Sequence, residues 1–477
     1  MKTSIALVFA LIALFFYAQS CSKSSDDIHI GITYYADAIN GDDTNGDGSR
    51  QFPFRTIDRA MDTLESGDIL LLNNGNYGDV VVGRTAGLDW GSDQSKIAMP
   101  YSKFSDWVTV KAAPEQTPHF NTLSIGTLNI PYSGSPSQKI DFSQKGNCDL
   151  YMDFEGIIID DGIKIYGSRY VKIADCIINR QGDLNGSVSN MDNKAGIGIQ
   201  NGRFITVEGN EITHVSIGIA AGSYDLTIKN NEIHHNSHDG IRIWGGDNWL
   251  VEGNKIHDID DGVTDDSGID WNRHVDGIQI WPLFDDTKNL TIRGNLFYHI
   301  EAMGIMTQTE THAENWTFED NIFGPVGGIL FHLGTNVYGS CIFRHNTVIY
   351  APNDVWESIY GRTMNTQSYS FALWSVPEIN SGYRFYNNIF TNKSTVPSDF
   401  GFVANNIFYN PKGKDPCPYE TISGTITEYI ETGKIPGSLT DGSAAIDAGT
   451  TQYASQDIYD YNNKKRDGKP DIGALEY

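Results

Sequence analysis

One phrase recurs through the middle of this chain and limits what it can fold into: alternating apolar residues, a polar pair, Asn, then another apolar pair. It reads Ile205–Ile212, returns at Leu226–Ile233 and Leu250–Ile256, and has later copies at Leu290–Phe297, Trp316–Phe323, Ile342–Val348, Phe385–Phe390 and Val403–Phe408. The Asn stands at 210, 231, 254, 295, 321, 346, 388 and 406, at spacings of 21, 23, 41, 26, 25, 42 and 18. The two long spacings are near twice the basic one. Alternation of period two means strands. Asn at a fixed place between strands means a tight turn that tolerates left-handed geometry. A period of about twenty residues, all strand and turn, means a solenoid. The Leu-x-x-Leu-x-Leu pattern of a leucine-rich repeat is absent. The fold class is therefore all-β, a right-handed parallel β-helix with the asparagines stacked in a ladder. Weaker copies at Val108–Val110, Ile157–Ile159 and Val171–Ile178 extend the rungs from about 105 to about 410.

The flanks fit this architecture. Thr56–Gly67 reads as a short helix over 56–66, N-capped by Thr56 and ended by Gly67. Its stripe of Ile57, Ala60, Met61 and Leu64 would cover the open end of the helix core. Tyr34-Tyr35-Ala36-Asp37, Gly41-Asp42-Asp43, Pro53-Phe54-Arg55-Thr56-Ile57, Gly67-Asp68 and Gly75-Asn76-Tyr77 together resemble the entry segment of secreted β-helix proteins of the pectate-lyase-like superfamily. Ala445-Ile446-Asp447-Ala448-Gly449 and Pro470–Tyr477 resemble their closing motif. That resemblance implies a carbohydrate-active protein: a polysaccharide lyase, a glycoside hydrolase or a uronate epimerase.

Export is written at the start. Lys2 precedes the apolar run Ile5–Tyr17, which is too short to span a bilayer and suits a signal peptide. Ala18-Gln19-Ser20-Cys21 resembles the lipobox of a Gram-negative lipoprotein, with Cys21 as the lipidated residue. The expected organisation is a signal peptide at 1–20, a lipidated tether at 21–33, the β-helix with its cap at 34–410 and an irregular C-terminal segment at 411–477. The expected location is the outer membrane, the cell surface or the periplasm, with membrane contact through the lipid only and the chain monomeric. Cys148, Cys176, Cys341 and Cys417 lack metal-binding spacing. Cys176 and Cys341 fall in the apolar pattern and read as buried thiols.

A net charge of −26 repels phosphate, which excludes nucleic acid as a partner. It also repels acidic glycans, so such a substrate needs a local cation. The strand after each Asn turn carries Gly-Ile-x-apolar, as in Gly218-Ile219-Ala220-Ala221, Gly240-Ile241-Arg242-Ile243 and Gly277-Ile278-Gln279-Ile280. Residues one and three after Gly point inward; those one before, two after and four after point outward. Rungs stack at roughly 4.8 Å. Asp239 then lies beside Asp276, Arg242 beside Gln279, and Trp244 beside Trp281, with Gln308 and His332 continuing the row. His238 and His274 precede the two aspartates. The acidic insertion at 257–275 contributes Arg273 and, with Asp261, Asp265 and Asp266, either a calcium site or a solvated loop. Asp43–Gly48 starts like a calcium loop but lacks the closing Glu. No other cofactor is implied. Asp239 and Asp276 read equally as turn formers before Gly, and His234 and His235 read as turn residues.

Two chemistries fit this row. In β-elimination at a uronic acid, the carboxylate must be neutralised before a base can take the C5 proton. Arg242 and Gln279 suit the carboxylate, and His274 or His332 suits the base. Trp244 and Trp281, with Gln308 and Arg273, would bind the sugar rings. The Lys–Arg pair of calcium-dependent lyases is not recognisable. In hydrolysis, Asp239 and Asp276 would act as paired carboxylates, but the Asn-Thr-Asp, Asp-Asp and His-Gly series of polygalacturonases is missing. A non-catalytic glycan-binding lipoprotein would need the aromatics without the Arg, His and Asp cluster. The sequence therefore favours a lyase, or a dehydratase on a terminal uronate, acting on an acidic glycan.

Overall fold

The computed structural model describes residues 31–83, 104–126, 149–180, 195–259, 275–281, 286–307, 314–326, 329–331, 340–350, 371–373, 382–391, 394–395, 402–409, 438–439, 441–452 and 459–477. Every ladder between the described strands is parallel, and successive partners come from successive coils, which makes a parallel β-helix. Each coil has three faces. In one coil these are the two halves of Asp239–Glu252 and then Lys255–Ile259, each hydrogen-bonded to the same face of the coils before and after.

Alternation puts one file of side chains inside. Ile163, Ile197, Ile219, Ile241, Ile278 and Ile305 are register partners in turn, and all are 0% exposed. Each such side chain stabilises the fold by about 1.5–3 kcal/mol when fully buried. The glycine before each isoleucine has a steric cause. A Cβ on Gly218 would lie 2.4 Å from the Gly240 carbonyl oxygen, and one on Gly240 would lie 2.6 Å from that of Gly277.

The asparagine ladder forms as expected. Asn231 and Asn254 each accept the previous ladder residue's backbone and amide N–H on Oδ1, at 2.9–3.0 Å. Each donates from Nδ2 to a strand carbonyl of the preceding coil, Val207 and Ile228 respectively. The pattern continues through Asn295, Asn321, Asn346, Asn388 and Asn406. Cys176 begins the file by donating its backbone N–H to Asn210. One detail differs from the sequence reading: the left-handed residue is the one before the ladder asparagine, such as Asn230, Asp320 or His345. The ladder asparagine must turn inward to reach two coils, so the neighbour before it reverses the chain.

The first strand, Thr33–Ala36, pairs with Ile69–Leu72, and that strand pairs with Val108–Ala112. Stacking thus begins well before the rungs marked by Asn. The helix is Ile57–Thr63, with Thr56 Oγ1 accepting the Arg59 N–H at 3.2 Å. It ends at Leu64, where the backbone turns extended, rather than at Gly67. Ile57, Ala60, Met61 and Leu64 all join the main core. At the other end, Ala474 and Leu475 pack on Leu296, Tyr298 and Ile322. Arg466 ties Glu476 to Asp320 at 2.8 Å each. Cys176 and Cys341 are free and buried, and burial pushes both thiols up to about 12. Cys148 and Cys417 lie outside the described residues, as does Cys21. No described helix is long and apolar enough to cross a membrane.

Candidate functional site

The strand Asp239–Glu252 and the strand Ile278–Ile280 build the site side by side. Ile241 pairs with Ile278, Arg242 with Gln279 and Ile243 with Ile280. The isoleucines fill the core, so Arg242 and Gln279 stand on the outer side. The row before them in the preceding coil is Ala220, and the row after is Met306. Two polar side chains thus stand together between Ala220 and Met306, with Lys164 three coils before Arg242 in the same file.

The row is closed over rather than open. Asp239 and Asp276 are 0% exposed, Gln279 1%, Arg242 2% and Trp244 4%. An outward position on a solenoid meets solvent only where nothing lies across it, and alternation alone does not report such cover. The tryptophans are unequal. Trp244 packs onto Ile217 and Ala220 of the preceding coil, where the small Ala220 leaves room, whereas Trp281 is 37% exposed.

The two carboxylates are used asymmetrically. Asp239 Oδ1 accepts the Asp276 backbone N–H at 3.2 Å, and Asp276 Oδ1 accepts the Met303 N–H at 3.1 Å. Each aspartate thus accepts a backbone N–H of the next coil, the reverse of the ladder asparagines, which accept from the coil before. Asp239 Oδ2 receives Arg242 through Nε at 2.7 Å and Nη2 at 2.5 Å. Both Asp239 oxygens are therefore engaged. Among the described residues, Asp276 Oδ2 has no protein partner, nor do either amide atom of Gln279 and Trp244 Nε1. Buried polar atoms without partners are rare and costly in folded proteins. Four of them in one buried row single it out as the candidate site.

Burial, and then the neighbouring Asp239 charge, raises the Asp276 carboxyl well above its ordinary range. Arg242 pairs directly with Asp239; its charge also lowers Asp276, but by less than burial and Asp239 raise it. The raised pKa favours the protonated form of Asp276, and Oδ2, the oxygen that accepts no backbone N–H, is the one that would carry the proton.

Six of the residues read from sequence are therefore in or beside one row: Asp239, Arg242, Trp244, Asp276, Gln279 and Trp281. His274, His332, Arg273 and Gln308 lie outside the described residues, as do the calcium candidates Asp261, Asp265 and Asp266. Asp43 takes the Arg55 and Thr56 backbone N–H groups at 2.7 and 3.0 Å, which occupies its carboxylate as a turn former. Among the described residues no group of three or more His, Cys, Asp or Glu is arranged to hold a metal ion.

His234 and His235 belong to a larger stack on the third face that sequence reasoning missed. His234 stacks on His257 at 5.0 Å and His257 on Tyr298 at 4.5 Å. Asp258 bridges His257 and His299 at 2.7 and 2.9 Å. Burial would lower His257, but hydrogen bonds to Asp258 and Glu232 raise it. The same His257 contact pulls Glu232 down to about 2. Register alone could have found the stack, because Thr213, His234, His257 and Tyr298 are partners in turn.

Comparison with known proteins bears chiefly on the fold. Residues 161–374 match the family described as right handed beta helix region, and residues 39–84 match one described as protein of unknown function (DUF1565). No curated protein is similar enough to match. Among solved structures, pectate lyase Pel9A is 16% identical over 94% of this chain and 97% of its own, with a TM-score of 0.45. XylC in complex with xylose is 12% identical over 93% and 98%, with a TM-score of 0.48. The GH136 lacto-N-biosidase from Eubacterium ramulus is 11% identical over 86% and 72%, with a TM-score of 0.43. At these scores no likeness carries an argument about chemistry. The family match agrees with the parallel ladders on architecture, a right-handed parallel β-helix.

Proposed function

We propose that this chain is a glycan-processing enzyme that performs β-elimination on a uronate unit. The observation that carries the proposal is the unpartnered Gln279 amide beside Arg242, with Asp276 Oδ2 also unpartnered in the same row. A uronate carboxylate placed there would meet a guanidinium, an amide N–H and a carboxylic O–H. Their hydrogen bonds would stabilise the charge that builds on it as the C5 proton leaves, with Arg242 kept in place by its pair with Asp239. A base then takes that proton, the electron pair forms the C4–C5 double bond, and the C4–O bond breaks. The departing oxygen takes up a proton. If it belongs to another sugar, the chain is cut; if it is a free hydroxyl, water leaves. His274, two residues before Asp276, is proposed as the base, with His332 as the alternative. Trp281 offers an exposed ring face to a neighbouring sugar.

Hydrolysis is the second reading, and one observation favours it: a carboxyl with a raised pKa suits a general acid. It needs Asp239 as its partner, and both Asp239 oxygens are already bound. We further propose that the protein is exported and lipid-anchored at Cys21, where it meets acidic glycan outside the cytoplasm. Incubation with a panel of uronate polysaccharides and oligosaccharides tests the reaction. New ultraviolet absorbance of an unsaturated uronate is the expected result. New reducing ends without that absorbance would overturn elimination in favour of hydrolysis.

A further inference from the structure

A second site lies on a different corner of the coil. A cavity of about 470 Å³ opens between the turns after the second face and the segment at 459–463. That volume is within the roughly 300–1,000 Å³ usual for small-molecule sites. Its floor includes Gly253 and Gly294, both left-handed, at the position just before a ladder asparagine. Left-handed geometry does not by itself demand glycine there, since Asn230 and Asp320 adopt it in neighbouring coils. Gly253 has a packing reason: a Cβ would come 2.5 Å from Asn230 Oδ1. Gly294 has none, because a Cβ would meet nothing within 4 Å. The absent side chain at 294 therefore leaves open space at the floor of the cavity.

The walls define what would fit. One carries charges already matched to each other: Arg293 with Glu252 at 2.6 Å, Arg344 with Glu319, and Lys229 with Glu208 at 2.7 Å. The two lining aspartates are also committed. Asp320 holds Arg466 at 2.8 Å, and Asp460 accepts the backbone N–H groups of Asn462, Lys464 and Glu476 at 2.7–2.9 Å. The opposite wall carries Tyr459, which is 47% exposed, and the half-buried Tyr461. A carboxylate or phosphate would have to break an ion pair to be held. An apolar ligand would cover charged groups without bonding them. Hydroxyl groups can add to the donors and acceptors of paired charges without separating them, and a sugar ring can lie against tyrosine.

We propose that this cavity is a saccharide-binding site for a neutral, hydroxyl-rich sugar unit. It is separate from the Asp239–Asp276 row and independent of the reaction proposed there. Titration calorimetry tests it with cellotetraose, xylotetraose and mannotetraose as neutral probes and tetragalacturonate as the charged one. Gly294→Asn fills the floor with a residue that already takes this backbone shape at 230. Tyr459→Ala removes an exposed ring and keeps the test open if the first variant folds poorly. The expected result is that at least one neutral probe binds, and that the variants weaken it at least tenfold with an unchanged circular dichroism spectrum. Three outcomes would overturn the proposal: no neutral probe binds at millimolar concentration, neither folded variant weakens a probe that binds, or Gly294→Asn abolishes tetragalacturonate binding instead. Tetragalacturonate held in the Asp239–Asp276 row would survive both variants, so the two sites are read apart without measuring turnover.

Discussion

Gln279→Leu should leave the protein at least as stable and make it less active. Gln279 is 1% exposed, and neither its amide oxygen nor its amide nitrogen has a protein partner. A buried polar group without a partner costs roughly 1–3 kcal/mol. Leucine is close in size and removes both groups, but its branched shape costs up to about 1.5 kcal/mol in repacking. The balance runs from about no change to a gain of about 3 kcal/mol, read as a higher urea midpoint at unchanged slope. The same change deletes one neutral donor to the substrate carboxylate. A hydrogen bond to a charged group contributes about 1.5–3 kcal/mol, so turnover should fall roughly tenfold to a hundredfold. Gln279→Asn should restore part of the turnover and lose the gain in stability. A loss of more than about 1 kcal/mol in Gln279→Leu would refute the reasoning. It would mean that the amide is bonded within the folded protein and serves the fold.

Three further outcomes follow from the same geometry. Arg242→Met strands the 0% exposed Asp239 carboxylate and should cost about 3–5 kcal/mol in urea unfolding; adding Asp239→Asn should recover most of it. Asp276→Asn mimics the neutral acid, so it should keep partial turnover if elimination holds and almost none if Asp276 is a hydrolytic acid. Its stability relative to wild type should grow with pH. The wild-type carboxyl has a folded pKa raised above the ordinary carboxylate value, and folding loses stability as pH rises from that ordinary value through the folded one. Asn254→Ala removes two donated and two accepted ladder bonds and should cost about 4 kcal/mol in the same assay; a cost below about 1 kcal/mol would mean that the ladder does not hold the coils together.

The fold was legible where every coil makes the same physical demand. Each corner needs one side chain that reaches two coils, so Asn recurs at 210, 231 and 254. Each Gly-Ile pair needs an absent Cβ and a core side chain, so Gly218 and Gly240 recur. The early coils lack that corner, and the pairing of Thr33–Ala36 with Ile69–Leu72 left no repeat to read. The site was half legible. Register brought Arg242 to Gln279 because pairing advances by whole coils. Burial of the row was hidden, because it depends on what crosses the outer face. So was the use of Asp239 Oδ1 and Asp276 Oδ1 as backbone acceptors, which only the close stacking of coils allows. The His257–Asp258–His299 network was hidden because Asp258 and His299 are left-handed residues within the strands Lys255–Ile259 and Leu296–Ile300, where they break strand alternation.

Mass spectrometry of the reaction products tests the central claim most directly. The protein is incubated with a defined uronate oligosaccharide, and the new non-reducing ends are weighed. Elimination takes up no water and leaves a C4–C5 double bond, so those ends should be one water lighter than hydrolytic ends, and Arg242→Met should abolish them. Products that carry the full mass of added water would contradict the account, as would wild-type product formation by a folded Arg242→Met variant.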